Sequence, residues 1–96
     1  MHVVVNHLHL RDPVTEATLQ AAAAALPFVV ESGALSAQVV KVDDRHLILI
    51  LQYESVEDAE RVAHDVGGPW MRDRIQPLLA REPERSVGEV VASAQA

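Results

Sequence analysis

Asn6 stands in a run of aliphatic residues, Val3-Val4-Val5-Asn6-His7-Leu8-His9-Leu10. A carboxamide in such surroundings can bind a carbonyl or a developing oxyanion without changing its own charge. It serves equally well as a buried amide that satisfies neighbouring backbone groups. Trp70 follows the break Gly67-Gly68-Pro69 and offers a flat surface for stacking an aromatic compound, or an anchor that closes the core. Arg74 falls one helical turn beyond Trp70, where it can meet a carboxylate or phenolate or remain solvated. His64, next to Asp65, is a general base if its helix turns it inward and a surface side chain if not.

His7 and His9, two apart on one strand, share a face and have the spacing of a metal-binding pair. No third histidine or carboxylate lies close in sequence, so interface hydrogen bonding or solvation is the simpler expectation, and no metal site is expected from sequence alone. Tyr53, the sole tyrosine, ends a strand as a proton donor or a sheet cap. Glu89 interrupts the apolar pattern between Val87 and Val91 and suggests an Arg or His partner across a subunit boundary.

The chain bounds what these groups can belong to. With 96 residues, 49% hydrophobic and only three aromatic side chains, it is one domain, 1–96, with an aliphatic core. A net charge of −6 disfavours nucleic acid and anionic membrane surfaces as partners. The absence of cysteine excludes disulfides and thiolate chemistry. The start carries no cationic leader pattern, and no apolar run is long enough to span a bilayer, so a soluble cytoplasmic protein is expected.

The elements that would position the candidates can be read in order. Residues 2–10 form a β-branched strand, and Asp12 with Pro13 is expected to open a helix running from Val14 to Ser32, kinked or divided at Pro27 and capped by Gly33. Residues 35–42 and 46–53 are two strands around Asp43-Asp44-Arg45. Ser55 and Asp58 resemble a capping box for a second helix that is expected to end at Gly67-Gly68, with Pro69 restarting a helical segment. After the polar connection Arg81 to Arg85, residues 86–93 supply a last strand.

This βαββαβ order predicts a ferredoxin-like α+β protomer, a four-stranded antiparallel sheet with both helical connections on one face. Parity on the first strand puts Val4, Asn6 and Leu8 on one face and Val3, Val5, His7 and His9 on the other. If Asn6 faces the helices, the second set lies on the bare face. Because both sets are apolar, a homodimer through the exposed sheet face is expected, closing a dimeric α+β barrel.

The strand Val5 to Leu10, the two-faced sheet and the Gly67-Gly68-Pro69-Trp70-Met71 break together resemble the antibiotic biosynthesis monooxygenase family. The resemblance spans nearly the whole chain and rests on pattern rather than an invariant motif. It implies a cofactor-independent monooxygenase acting on an aromatic or quinol-type substrate, or another small hydrophobic one, with no bound cofactor. It places Asn6 and Trp70 in a cleft between helices and sheet, with Arg74 and His64 as further catalytic candidates. The same superfamily contains non-catalytic ligand-binding modules, isomerases and cyclases. Haem degradation is disfavoured, because Val62 stands near the position of the required helix-two Trp and no His follows His64.

Overall fold

The computed structural model of the chain describes residues 1–96. It contains β1 (His2–His9), α1 (Glu16–Ser32), β2 (Ser36–Asp43), β3 (His46–Tyr53), α2 (Val56–Val62) and β4 (Glu84–Glu89), the expected βαββαβ order. All strand pairs are antiparallel and the sheet order is β2-β3-β1-β4, so the two most apolar strands lie at its centre. Both helical connections cover one face.

Strand parity assigns the faces. Val4, Asn6 and Leu8 of β1 lie opposite Leu51, Leu49 and Leu47 of β3, and all six are buried. Val4, Leu49 and Leu51 join Tyr53, Ala59 and Val62 in one core cluster, while Leu8 and Leu47 join Leu10, Ile75 and Leu79 in a second. The opposite parity, Val3, Val5, Ile48 and Ile50, is only half-buried, and Val40 on β2 is exposed. One apolar sheet face is therefore left open.

Several local expectations are corrected. Asp12 does not cap α1. Thr15 does, its hydroxyl accepting from the Thr18 backbone N–H at 3.2 Å. The Val14 N–H is already committed to the Asp44 carbonyl at 2.7 Å, which ties residues before Thr15 to the β2–β3 turn and delays the helix. Pro27 does not divide α1, which continues unbroken to Ser32. It sits on the exposed side, where water can take the carbonyl that its missing N–H leaves free. Gly33 caps the helix as expected, with φ 135° and its N–H on the Val29 and Val30 carbonyls. Asp43 stays in β2 opposite His46, leaving a two-residue turn in which its carboxylate accepts from the Arg45 N–H at 2.8 Å.

The largest correction concerns the second helix. Ser55 caps it, accepting from the Asp58 N–H, but Gly67-Gly68-Pro69 does not end it. The helical path continues through a π-helical turn (Ala63–Gly67), an α-helical turn (Gly68–Trp70), a second π turn (Met71–Ile75) and a 3₁₀ turn (Gln76–Leu78). Both glycines hold right-handed helical angles, and the Gly68 N–H reaches back five residues to the Ala63 carbonyl. A proline inside a helix collides with the carbonyl four residues earlier, and widening the preceding turn relieves that collision. β4 likewise starts and stops earlier than expected, at Glu84 and Glu89. Its partner β1 runs out at His2, opposite Glu89, and Val90 makes one last bond to the Met1 carbonyl.

Candidate functional site

A cleft of about 340 Å³ opens between the sheet and the second helical path. Its floor is Val4 and Asn6 from β1, Tyr53 from β3 and Arg85 from β4; its roof includes Ala59, Ala63, Gly67, Gly68 and Met71. The roof residues facing Asn6 are mostly glycine or alanine, which is why space remains where a core would otherwise close. Asn6 and Arg85 are directly opposite one another in the β1–β4 register, so they share this face.

Asn6 is the only polar residue among the buried ones, at 8% exposure. None of the chain's side-chain hydrogen bonds uses its amide. His2 Nδ1 is the only fully buried side-chain polar atom without a partner, so the Asn6 amide meets the cleft itself. Tyr53 is 1% exposed. Burial pushes its phenol above the ordinary value, and the Arg85 charge pulls it partway back. The cleft thus presents an amide, a phenol held in its protonated form and a guanidinium, all hydrogen-bond donors. Such a set suits a ligand oxygen that is negative or becomes so.

Because Tyr53 is the sole tyrosine, its titration can be followed directly by ultraviolet difference absorbance. Its folded pKa is raised, so folding stability is undiminished below the ordinary phenol value of 10.0 and is expected to fall as pH rises above it. Tyr53→Phe should remove that alkaline loss. Equal loss in wild type and variant would show that the phenol is not shielded.

The four sequence candidates fall in separate places. Asn6 lines the cleft. Trp70 lines a neighbouring apolar groove of about 170 Å³ between α1 and the second helical path, with Leu26, Phe28, Val29 and Val66. It also packs against the Leu8–Ile75 core cluster. The His64 side chain is 88% exposed and bonds Asp65 at 2.9 Å. Arg74 is exposed. Glu89 lies opposite His2, on the parity of Asn6 rather than on the open face, so it is not directed at a partner across that face. Arg85 was hidden within the polar connection, and only starting β4 at Glu84 puts it in register with Asn6. Tyr53 was visible as a lone tyrosine ending a strand, but nothing local tied it to Asn6.

No protein-family model matches the chain, and no match is found among curated proteins. Solved structures do match. A Nitrosomonas europaea protein grouped by its description with antibiotic biosynthesis monooxygenases superposes with a TM-score of 0.82 over 96% of this chain and 100% of its own, at 16% identity. The monooxygenase ActVA-Orf6 of Streptomyces coelicolor, solved with nanaomycin D, gives 0.78 over 99% and 91%, at 20% identity. SnoaB of Streptomyces nogalater, a cofactor-independent oxygenase, gives 0.77 over 96% and 94%, at 12% identity. The chain therefore has the fold of antibiotic biosynthesis monooxygenases across nearly its whole length. No helix is long and apolar enough to cross a membrane.

Proposed function

We propose that the chain is a small cytoplasmic oxygenase that works without a bound cofactor on an aromatic, quinol-type or similarly hydrophobic compound held in the Asn6 cleft. The observation that carries this reading is the Asn6 amide, buried, uncommitted within the chain and facing a largely apolar cavity beside Tyr53 and Arg85. A substrate bound as its phenolate or enolate has its anionic oxygen held by these donors while the ring carbon attacks dioxygen. One oxygen atom remains on that carbon as a carbonyl, and the other leaves as water, which takes the second hydrogen of the oxidised CH₂ group and one proton returned by solvent. No carboxylate or imidazole lines the cleft, so the proton lost on forming the anion passes to solvent at its mouth. The protein contributes position and a preorganised field.

The test is oxygen uptake across a panel of anthrones and hydroquinones, with labelled dioxygen tracing the incorporated atom. A non-catalytic ligand-binding module is the second reading, favoured by the lack of a base in the cleft. A compound that raises the melting temperature while no oxygen is consumed would establish it in place of the oxygenase. Product formed without oxygen uptake would indicate an isomerase or cyclase.

The open sheet face supports a homodimer. Val3, Val5, Ile48 and Ile50 form a contiguous apolar patch in the sheet centre, and a second copy related by two-fold symmetry would cover it and complete an α+β barrel. Sedimentation is expected to give a dimer for the wild type and a monomer for Ile50→Asp, which would leave an unpaired charge in that interface. A wild-type monomer at micromolar concentration would overturn this.

A further inference from the structure

We propose that His7, His9 and His46 form a binding site for a divalent transition-metal ion of the zinc, nickel or copper class, with Glu84 as the outer carboxylate. The two histidines of β1 lacked a third ligand in sequence, and the sheet supplies it. His46 begins β3 directly opposite His9, and Glu84 begins β4 directly opposite His7. All four positions have the open-face parity and lie at the same end of the strands.

The side chains are already close. His7 Nδ1 and His46 Nε2 are 2.9 Å apart. A tetrahedral ion with metal–nitrogen bonds of about 2.0–2.1 Å holds its nitrogens roughly 3.3 Å apart, so this pair needs to open only slightly. His9 stacks on His46 with ring centroids 4.5 Å apart, and its Nε2 lies 3.4 Å from Glu84 Oε1. Glu84 is near enough to close on a His9 ring nitrogen once that ring turns toward an ion, and a carboxylate so placed would orient the other nitrogen as a ligand. As the side chains stand, no three donors surround one point. The obstacle is the stack: His9 must leave the face of His46, a ring rotation open to a side chain that is 24% exposed. Arg81, 3.1 Å from Glu84, competes for the carboxylate and moderates the affinity.

Neutral imidazoles favour zinc, nickel and copper over magnesium or calcium. An ion can reach the cluster from an open depression of about 460 Å³ lined by His9, His46, Asp43, Arg45 and Arg81. The site lies at the strand-end rim of the open sheet face, the face assigned above to the homodimer and opposite to that of Asn6, so its part is to tie β1 to β3 at the edge of that interface, not to touch the cleft.

The experiment is zinc titration of tag-free, chelator-treated protein by calorimetry, with cobalt absorbance as a second probe. Expected are one ion per chain, tetrahedral cobalt bands and a melting temperature raised by zinc but not by magnesium. His7→Asn and His46→Asn should each weaken zinc binding by roughly a hundredfold, and Glu84→Gln by roughly tenfold. His2→Asn and His64→Asn should leave it unchanged. Melting of the metal-free variants separates lost ligation from lost fold. Absence of zinc and cobalt binding in the folded wild type, or binding unaltered in folded His7→Asn and His46→Asn, would overturn the site.

Discussion

Asn6→Ala is expected to lower oxygen-dependent kcat by about 10²–10³-fold, the range for removing one preorganised donor from a developing oxyanion. The stability of the same variant decides why the residue is there. An amide that satisfied buried backbone groups would leave them unpaired when removed, costing about 1–3 kcal/mol. The Asn6 amide bonds nothing within the chain and faces the cleft. Alanine should therefore fold with wild-type stability to within about 1 kcal/mol, as judged by urea unfolding. Asn6→Asp keeps the shape but sets a negative charge against a bound anion, so it should lose turnover and affinity together. Full activity in Asn6→Ala, or activity lost only in step with stability, would remove the residue from the reaction.

Asn6 also shows what was legible in the sequence. Its face follows from alternation alone, because strands have period two and Val4 and Leu8 share its parity. The same alternation marked Val3 and Val5 as the open side. Helix boundaries were harder, since they depend on partners distant in sequence. Asp12 lost the cap of α1 to Thr15 because the Val14 N–H belongs to Asp44. The site was legible in part for the same reason. Arg85 became Asn6's neighbour only through the β1–β4 register, and His46 reached His9 only through the β1–β3 register. The family resemblance implies Trp70 in the cleft beside Asn6, with a chain break at Gly67-Gly68-Pro69 just before it. With the helix continuous, Trp70 instead lines the separate groove beside α1 and packs against the Leu8–Ile75 cluster.

That continuity makes opposite predictions for two adjacent glycines. A glycine inside a helix costs about 0.5–1 kcal/mol relative to alanine, so Gly67→Ala should stabilise by about that amount. Its angles are right-handed helical, and an added Cβ meets only the Val62 carbonyl at 3.7 Å, an ordinary contact. Gly68 has similar angles, but its Cβ would stand 2.7 Å from the Ala63 carbonyl oxygen. That oxygen belongs to the backbone and accepts the Gly68 N–H across the widened turn, so it cannot swing aside without breaking the bond that lets Pro69 remain in the helix. Overpacking of this kind costs about 1–3 kcal/mol, which outweighs the propensity gain. Gly68→Ala should therefore unfold at lower urea than wild type while Gly67→Ala unfolds at higher urea. Stabilisation by both would mean that the turn is an ordinary α-helical one. The cleft should register the difference as well, because Gly68 and Met71 both line its roof, and a shifted Met71 changes the space above Asn6. A rise in KM for Gly68→Ala, without the fall in kcat expected of Asn6→Ala, would separate the shape of the cleft from its chemistry.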